Sequence, residues 1–256
     1  MILKGKKGVI FGVANKNSLA WAIAQSAQEQ GAELTLCVAN ERFRQKVTPL
    51  AASIGLGEPL ICDVTSDESI QSTFKVLGSR LGEIDFMVHA IAFANREDLQ
   101  GRFVDTSRLG YHVAQDISSY SLCAMAKEAE KMMPQGGSIV TLSYIGAKRA
   151  IPGYNVMGVA KASLEASVRY LAADLGPSKI RVNAVSAGPV KTLSSSAVSG
   201  LKEKLDLHIG VCPLRRNITQ KEVGDATAFL ASDLASGVTG DVLYVDCGYH
   251  IAGRWD

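Results

Sequence analysis

The sequence has few aromatic residues, almost no net charge and no long apolar run. Phe, Trp and Tyr make up 6% of its 256 residues, and 27 basic against 25 acidic residues leave a formal net charge of +2. A charge so near neutral argues against nucleic acid or an anionic membrane as a partner. No apolar run approaches the ~18 residues that a membrane span needs. The apolar stretch near the N-terminus is too short for a secretion signal.

Cysteine is also scarce and follows no pattern. The chain has five cysteines, without Cys-x-x-Cys spacing, and four of them fall in apolar stretches: Cys37, Cys62, Cys123, Cys212 and Cys247. An odd, scattered set favours small core residues in a reducing cytosol over a disulfide framework or a metal cluster. We therefore expect a cytoplasmic protein without a metal site.

Apolar β-branched runs alternate with helical patterns along the whole chain, and no linker, repeat or low-complexity tract interrupts them. The alternation predicts a parallel sheet with helices on both faces. The length suits one α/β domain, so we expect residues 1–256 to form a single doubly wound, Rossmann-type domain. About seven strands are predicted, at 8–12, 33–39, 59–62, 86–89, 138–142, 181–185 and 242–246. Ligands of such sheets bind beyond the carboxyl ends of the strands.

Two tyrosines and a lysine follow the fifth predicted strand. Tyr144 comes just after it, and Tyr154 stands where a helical pattern begins. Lys161 is seven residues further on, nearly two helical turns, so Tyr154 and Lys161 should share one side about 10 Å apart. Such a phenol and ammonium can act as an acid and its electrostatic partner, and the ammonium can lower the pKa of the phenol. Spacing alone leaves an alternative, an ordinary amphipathic helix with a buried tyrosine and a solvated lysine.

The chain around these residues resembles the short-chain dehydrogenase/reductase superfamily and, within it, the NADH-dependent enoyl-acyl-carrier-protein reductases of bacterial fatty acid synthesis. The superfamily usually has Tyr-x3-Lys, with a serine thirteen residues before that tyrosine. Here Met157 and Tyr144 occupy those two positions, and Tyr154 lies about one turn earlier. This joint departure is typical of the enoyl reductases. The resemblance extends from GVANKNSLA near the start, through YNVMGVAKASLEA and SAGPVKTL, to VDCG near the end.

The resemblance implies an enzyme that reduces the carbon–carbon double bond of trans-2-enoyl-acyl-carrier-protein thioesters with NADH, the last step of the elongation cycle. It implies the enoyl-loaded acyl-carrier protein as the partner and a homotetramer as the assembly. Tyr154 would donate to the enolate oxygen, Lys161 would hold the nicotinamide ribose, and Tyr144 would line the acyl pocket. The implied catalytic residues are Tyr144, Tyr154 and Lys161, and the implied substrate contacts are Ala94, Tyr144, Tyr154 and Met157.

Cofactor contacts are implied at the ends of most predicted strands. The turn at Gly12 leads into a helix whose N-terminus can receive a pyrophosphate, and the uncharged Ala39 followed by Asn40 and Glu41 favours NADH over NADPH. Without the resemblance, Asp63 would be a loop or helix-capping residue. The implied NADH/NAD+ contacts are Gly12, Ser18, Leu19, Ala39, Asp63, Val64, Ile91, Lys161, Val190, Lys191, Thr192, Leu193 and Ser194.

The Ser- and Gly-rich segment near 191–208 is predicted to cover the substrate, as mobile loops beside active sites often do; an ordinary connection is the alternative. His89, at a strand end, is expected to be hydrogen-bonded structure.

Two other functions stay open. A ketoreductase of the same superfamily is disfavoured by Met157 and Tyr144 at the usual tyrosine and serine positions. A nucleotide-binding scaffold without turnover is disfavoured by the presence of both tyrosines and Lys161. The fold by itself would not decide among these functions.

Overall fold

The structure is a computed structural model that describes residues 1–190 and 201–252. Its centre is a sheet in which every pairing between neighbouring strands is parallel. The strands are β1 (Lys7–Phe11), β2 (Glu33–Val38), β3 (Leu60–Ile61), β4 (Phe86–His89), β5 (Gly137–Ser143), β6 (Ile180–Ala187) and β7 (Val242–Val245). All seven predicted strands are confirmed; β3 is shorter than predicted and β6 is longer.

Helices connect the strands and cover both faces of the sheet. They are α1 (Leu19–Glu29), α2 (Glu41–Ser53), α3 (Asp67–Leu81), α4 (Arg108–Gln115), α5 (Ser121–Lys131), α6 (Asn155–Leu175), α7 (Leu201–Val211) and α8 (Gln220–Ala231). Side chains of α3, α5 and α6 pack in one buried cluster and those of α1, α2 and α8 in another. Successive residues of β1 alternate between the two clusters, Val9 and Phe11 in the first and Ile10 in the second, because side chains of a strand point alternately to opposite faces.

The strand order places a binding crevice beside β1. The order is β3-β2-β1-β4-β5-β6-β7, so the chain runs outward from β1 to β3 and then crosses back to β4 on the other side. Loops after β1 and β4 therefore leave the sheet in opposite directions, which opens a crevice at the carboxyl ends of these strands. Because all strands are parallel, the segments after β1 to β6 meet at this one edge.

Local sequence explains where the helices near this edge begin. Ser18, Asn40 and Ser66 each accept a hydrogen bond from a backbone N–H in the first turn of α1, α2 and α3, respectively. Such caps satisfy one of the N–H groups that a helix leaves free at its start. Asp63 is not a cap: its carboxylate accepts from the backbone N–H and hydroxyl of Thr65 in the preceding loop.

All five cysteines are free thiols. Four are buried, as expected for core residues, whereas Cys123 is partly exposed. Within residues 1–190 and 201–252, no helix is both long and apolar enough to cross a bilayer.

Candidate active site

The rings of Tyr144 and Tyr154 meet at the carboxyl end of β5. Tyr144 directly follows the strand, and Tyr154 directly precedes α6. Their ring centroids lie 4.9 Å apart with 68° between the ring planes, an edge-to-face contact. Both side chains are partly buried. The two tyrosines, ten residues apart in the chain, therefore form one aromatic unit.

The position of the Tyr154 ring depends on two glycines. A Cβ at Gly146 would lie 2.5 Å from the Tyr154 ring and 3.1 Å from the Tyr144 ring. A Cβ at Gly158, one turn into α6, would lie 2.9 Å from the backbone oxygen of Gly146. Only residues without a side chain permit this approach, so the glycines determine where the Tyr154 ring can lie.

Burial raises the pKa of both phenols. The pKa of Tyr144 rises to about 12, chiefly through desolvation, and that of Tyr154 rises further for the same reason. The expectation that Lys161 lowers the pKa of Tyr154 is therefore wrong: desolvation prevails, and the nearby ionisable group that acts on Tyr154 is Tyr144, which raises its pKa further. Tyr154 consequently stays protonated at neutral pH and is suited to donating a hydrogen bond.

Lys161 is buried near the end of β5, where its hydrogen-bond acceptor, Leu142, lies two residues before Tyr144. Its side chain is 5% exposed, and its Nζ donates to the backbone oxygen of Leu142 at 2.7 Å. Desolvation lowers its pKa to about 8, and Glu165, one turn further along α6, acts in the opposite direction. A solvated lysine, the alternative left open by the spacing, is thus excluded. The ammonium lies near the carboxyl end of β5, where the cofactor ribose was predicted.

Glu165 is a second buried charge below the site. It is 2% exposed, accepts a hydrogen bond from the Ser143 hydroxyl at 2.7 Å, and lies 3.5 Å from the Lys148 ammonium. Ser143 precedes Tyr144, so this carboxylate ties α6 to the end of β5. In the sequence, only the helical spacing from Lys161 indicates that Glu165 lies near the site.

His89 is hydrogen-bonded structure, as predicted. Its ring is fully buried, with Nδ1 2.9 Å from the Thr141 hydroxyl and Nε2 2.8 Å from the Ser121 hydroxyl. Burial first, and the Lys161 charge second, lower its pKa to about 3. The imidazole is therefore neutral and joins β4 to β5 and α5.

The turn after β1 fits a dinucleotide. Gly12 has φ +95, and a Cβ there would collide with the backbone oxygen of Ala90, so glycine brings the turn against the end of β4. The turn leads to Ser18, whose hydroxyl donates to the Asn15 backbone oxygen and accepts from the Trp21 N–H, and then to Leu19, the first residue of α1. A glycine in the turn before a helix N-terminus suits the close approach of a pyrophosphate.

The other predicted cofactor residues lie along the same edge. Ala39 and Asp63 are exposed just after β2 and β3, while Val64 and Ile91 are partly buried against the core. Val190, after β6, borders a cavity with Asn17 and Thr219. These positions suit a cofactor that extends across the crevice. Four predicted contacts lie outside the described residues: Lys191, Thr192, Leu193 and Ser194.

An apolar cluster adjoins Tyr154. Ala94 and Met157, both predicted to contact substrate, pack in it with Leu99 and Val156. The loop that carries Ala94 is held by Ser118, which accepts from the Phe93 N–H at 2.9 Å and donates to the Phe93 carbonyl at 3.0 Å. Ser118 lies in a π-helical turn (Asp116–Tyr120), a feature that often marks functional sites.

The predicted cover of the site is described only in part. Within the segment near 191–208, residues 191–200 lie outside the described residues. The rest belongs to α7, so a regular helix stands where the composition indicated a loop. His208 of α7 is buried, and its Nε2 lies 3.1 Å from the backbone oxygen of Asp246, which anchors this helix beside the end of β7.

Comparison with known proteins places the whole chain in one group. The sequence profile of the family described as enoyl-(acyl carrier protein) reductase matches residues 12–250. The chain is 51% identical to the NADH enoyl-[acyl-carrier-protein] reductase FabI of Rickettsia prowazekii over 252 residues, 98% of this chain and 97% of that protein. It is 53% identical to the FabI of a Nostoc species over 254 residues, 98% of each.

A solved structure shows the same fold. The enoyl-acyl-carrier-protein reductase of Anaplasma phagocytophilum, in complex with NAD, is 51% identical and superposes with a TM-score of 0.96, covering 100% of this chain and 98% of that one.

Proposed function

The chain belongs to the enoyl-acyl-carrier-protein reductases of the short-chain dehydrogenase/reductase superfamily, and we propose that it reduces the carbon–carbon double bond of trans-2-enoyl-acyl-carrier-protein thioesters with NADH. This reaction completes each elongation cycle of fatty acid synthesis. The observation that carries the proposal is the edge-to-face pair of Tyr144 and Tyr154 at the end of β5, together with the buried Lys161 that donates to the Leu142 oxygen of the same strand. Profile, sequence relatives and fold support the same activity.

Tyr154 stabilises the charge that develops on the substrate. When the β-carbon of the enoyl group receives a hydride, electron density moves to the thioester oxygen, and a donor placed there lowers the barrier. The raised pKa of Tyr154 keeps its hydroxyl protonated, so it can donate to that oxygen. Protonation of the α-carbon then completes the saturated thioester.

NADH supplies the hydride when it is bound. The crevice residues would hold it: Gly12 and the start of α1 would receive the pyrophosphate, and Lys161 would bind the nicotinamide ribose hydroxyls. A buried ammonium serves both binding and rate, because its charge acts where water is largely excluded. Ala39 carries no charge that would select a 2′-phosphate, which favours NADH.

The acyl chain lies against the cluster beside Tyr154. Ala94 and Met157 supply apolar surface, and Tyr144 lines the entrance and orients the thioester. We propose that the segment near 191–208 covers this pocket and that Lys191 to Ser194 contact the cofactor. Water exclusion by such a cover strengthens the hydrogen bond from Tyr154.

The chain works as a cytoplasmic homotetramer. Free, mostly buried thiols suit a reducing compartment. Three aromatic or aliphatic side chains near the α4–α6 surface are largely exposed: Leu109 (69%), Tyr120 (55%) and Tyr170 (75%). A groove of about 360 Å³ lies between these elements and is lined by His112, Cys123 and Ser163 among others. Association of copies across this face would remove that surface from water. Sedimentation velocity would measure the assembly, and a monomer at micromolar concentration would contradict it.

The direct test follows the absorbance of reduced nicotinamide with a short trans-2-enoyl thioester. NADH and NADPH are each tried with that substrate and with a 3-oxoacyl thioester. Rapid oxidation of NADH with the enoyl substrate alone is expected. Turnover of only the 3-oxoacyl substrate would identify a ketoreductase instead, and NADH binding without turnover of either substrate would identify a non-catalytic nucleotide-binding protein.

A further inference from the structure

The residue after Tyr154 has an unusual backbone. Asn155 is the first residue of α6, where φ is normally near −63°, yet its φ is 33°. Four non-glycine residues among those described have positive φ, and Asn155 is the one in contact with the tyrosine pair along the chain. Asparagine tolerates this region better than most residues, and strained backbones of this kind concentrate at functional sites.

The side chain of Asn155 is a tether. Its Nδ2 donates to the backbone oxygens of Gln100 and Gly101, both at 3.2 Å. Those residues lie 55 and 54 positions earlier, at the end of the loop that carries Ala94. One amide therefore uses both of its N–H groups to join the start of α6 to the wall of the proposed acyl pocket.

The hydrogen bonds of Asn155 and its strained backbone both affect the position of Tyr154. The Tyr154 ring is confined on one side by Gly146 and on another by the edge of Tyr144. Its backbone is confined by the turn into α6, where Tyr154 N–H donates to the Ile151 oxygen and Asn155 follows with positive φ. A shift of Asn155 to ordinary helical φ would rotate the peptide that joins it to Tyr154 and so redirect the phenol.

We infer that Asn155 is a positioning residue for the reduction. Its left-handed backbone sets the orientation of the Tyr154 hydroxyl, and the hydrogen bonds of its amide fix that orientation relative to the acyl-pocket loop. The inference rests on the proposed role of Tyr154 as hydrogen-bond donor. In this role Asn155 acts through Tyr154 and not on the substrate itself.

Three substitutions separate the two contributions. Asn155→Gly keeps the backbone conformation and removes the tether, Asn155→Asp keeps tolerance of positive φ but cannot donate, and Asn155→Ala loses both features. We expect Asn155→Ala to lower kcat about tenfold or more and Asn155→Gly by a smaller factor, with the Kd for NADH within about twofold of wild type in both. Asn155→Asp should resemble alanine, because its carboxylate would face two carbonyl oxygens.

Gly82→Ala is the matched control for backbone strain. Gly82 lies at the C-terminal end of α3, more than ~70 residues before Asn155. It has φ +73, and a Cβ there would meet nothing within 4 Å. The variant imposes left-handed strain on alanine without any contact to the site. Its kcat should stay within about twofold of wild type. A tenfold loss in Gly82→Ala would attribute the Asn155 effect to general destabilisation and overturn the inference.

A double-mutant cycle with Tyr154→Phe gives the decisive readout. If Asn155 acts through the Tyr154 hydroxyl, Asn155→Ala should cost less than about twofold once that hydroxyl is absent. An equal loss in both backgrounds would overturn the inference while leaving the proposed role of Tyr154 intact. Full activity of Tyr154→Phe alone would instead refute the proposed role of Tyr154.

Discussion

The Tyr154 and Tyr144 rings pack edge to face, with 4.9 Å between their centroids and 68° between their planes. Both are desolvated, but the pKa of Tyr154 is raised more strongly, in part by Tyr144 itself. Both phenols therefore stay protonated at neutral pH. Tyr154 packs against the apolar cluster that contains Ala94 and Met157, and this position favours Tyr154 as the donor and Tyr144 as its aromatic support.

Tyr154→Phe removes the hydroxyl and retains the ring. Loss of one donor to a developing oxyanion typically costs on the order of a hundredfold in kcat, and we expect that loss here with little change in the Kd for NADH. Tyr144→Phe is the matched variant, since it keeps the same ring contact, and it should lose much less. Steady-state rates with an enoyl thioester and a fluorescence titration of NADH measure both quantities. A Tyr154→Phe enzyme at full rate, or a greater loss for Tyr144→Phe, would reverse the assignment.

Binding of NADH should weaken as pH rises through about 8, the lowered pKa of Lys161. Below that pH the ammonium is charged, and above it the charge is lost, so contacts with the ribose hydroxyls lose their charge-assisted donor. Lys161→Gln should bind NADH about tenfold or more weakly at neutral pH and show no further weakening at higher pH. Titrations between pH ~6.5 and ~9.5 test this. An unchanged pH dependence in Lys161→Gln would mean that another group is responsible.

Gly146→Ala should displace the Tyr154 ring. The added methyl would lie 2.5 Å from that ring, closer than packed atoms approach, so the ring must move. We expect kcat to fall about tenfold or more, because small misplacements of a catalytic group are costly. Gly176→Ala, at the far end of α6, is the control, since a Cβ there meets nothing within 4 Å. Equal rates for the two variants would show that the glycine does not position Tyr154.

His89 should make stability fall in mild acid. Its pKa is about 3 in the folded protein and near its ordinary 6.5 when unfolded, so the unfolded state binds the proton first as pH falls. The free energy of unfolding should therefore drop by about 2 kcal/mol from His89 between pH ~6.5 and ~5. Urea denaturation of wild type and His89→Gln at both pH values isolates this share, because the variant lacks the titrating ring. Parallel pH dependences would refute the prediction.

The architecture could be predicted because its signals are local. Apolar β-branched runs between helical patterns identified all seven strands, and capping residues such as Ser18 and Asn40 stand where helices begin. The spacing of Tyr154 and Lys161 predicted that they share one side of α6. The structure packs Tyr154 against Tyr144 and places the Lys161 ammonium on the Leu142 oxygen of β5. The reductase family could also be recognised in the sequence, because three positions depart together from the pattern usual in the superfamily.

Other properties of the site could not be read from the sequence. The pKa of Tyr154 depends on how much water the surrounding loops exclude, and a count of residues between tyrosine and lysine does not contain that quantity. The bond from Lys161 to the Leu142 oxygen, the buried Glu165 and the role of Ser118 in holding Phe93 likewise depend on segments that are distant in the chain. The covering segment was predicted from composition, which did not reveal that α7 begins at Leu201.

The sequence by itself determined the order of strands and helices, the chemistry available at the sheet edge and the family, because each depends on residue types at short, regular spacings. Only the tertiary structure decided how strongly each phenol is desolvated, where the lysine ammonium points, and that the Asn155 amide reaches Gln100 and Gly101. Desolvation and long-range hydrogen bonds arise when segments far apart in the chain are packed together, and that packing exists only in the folded molecule.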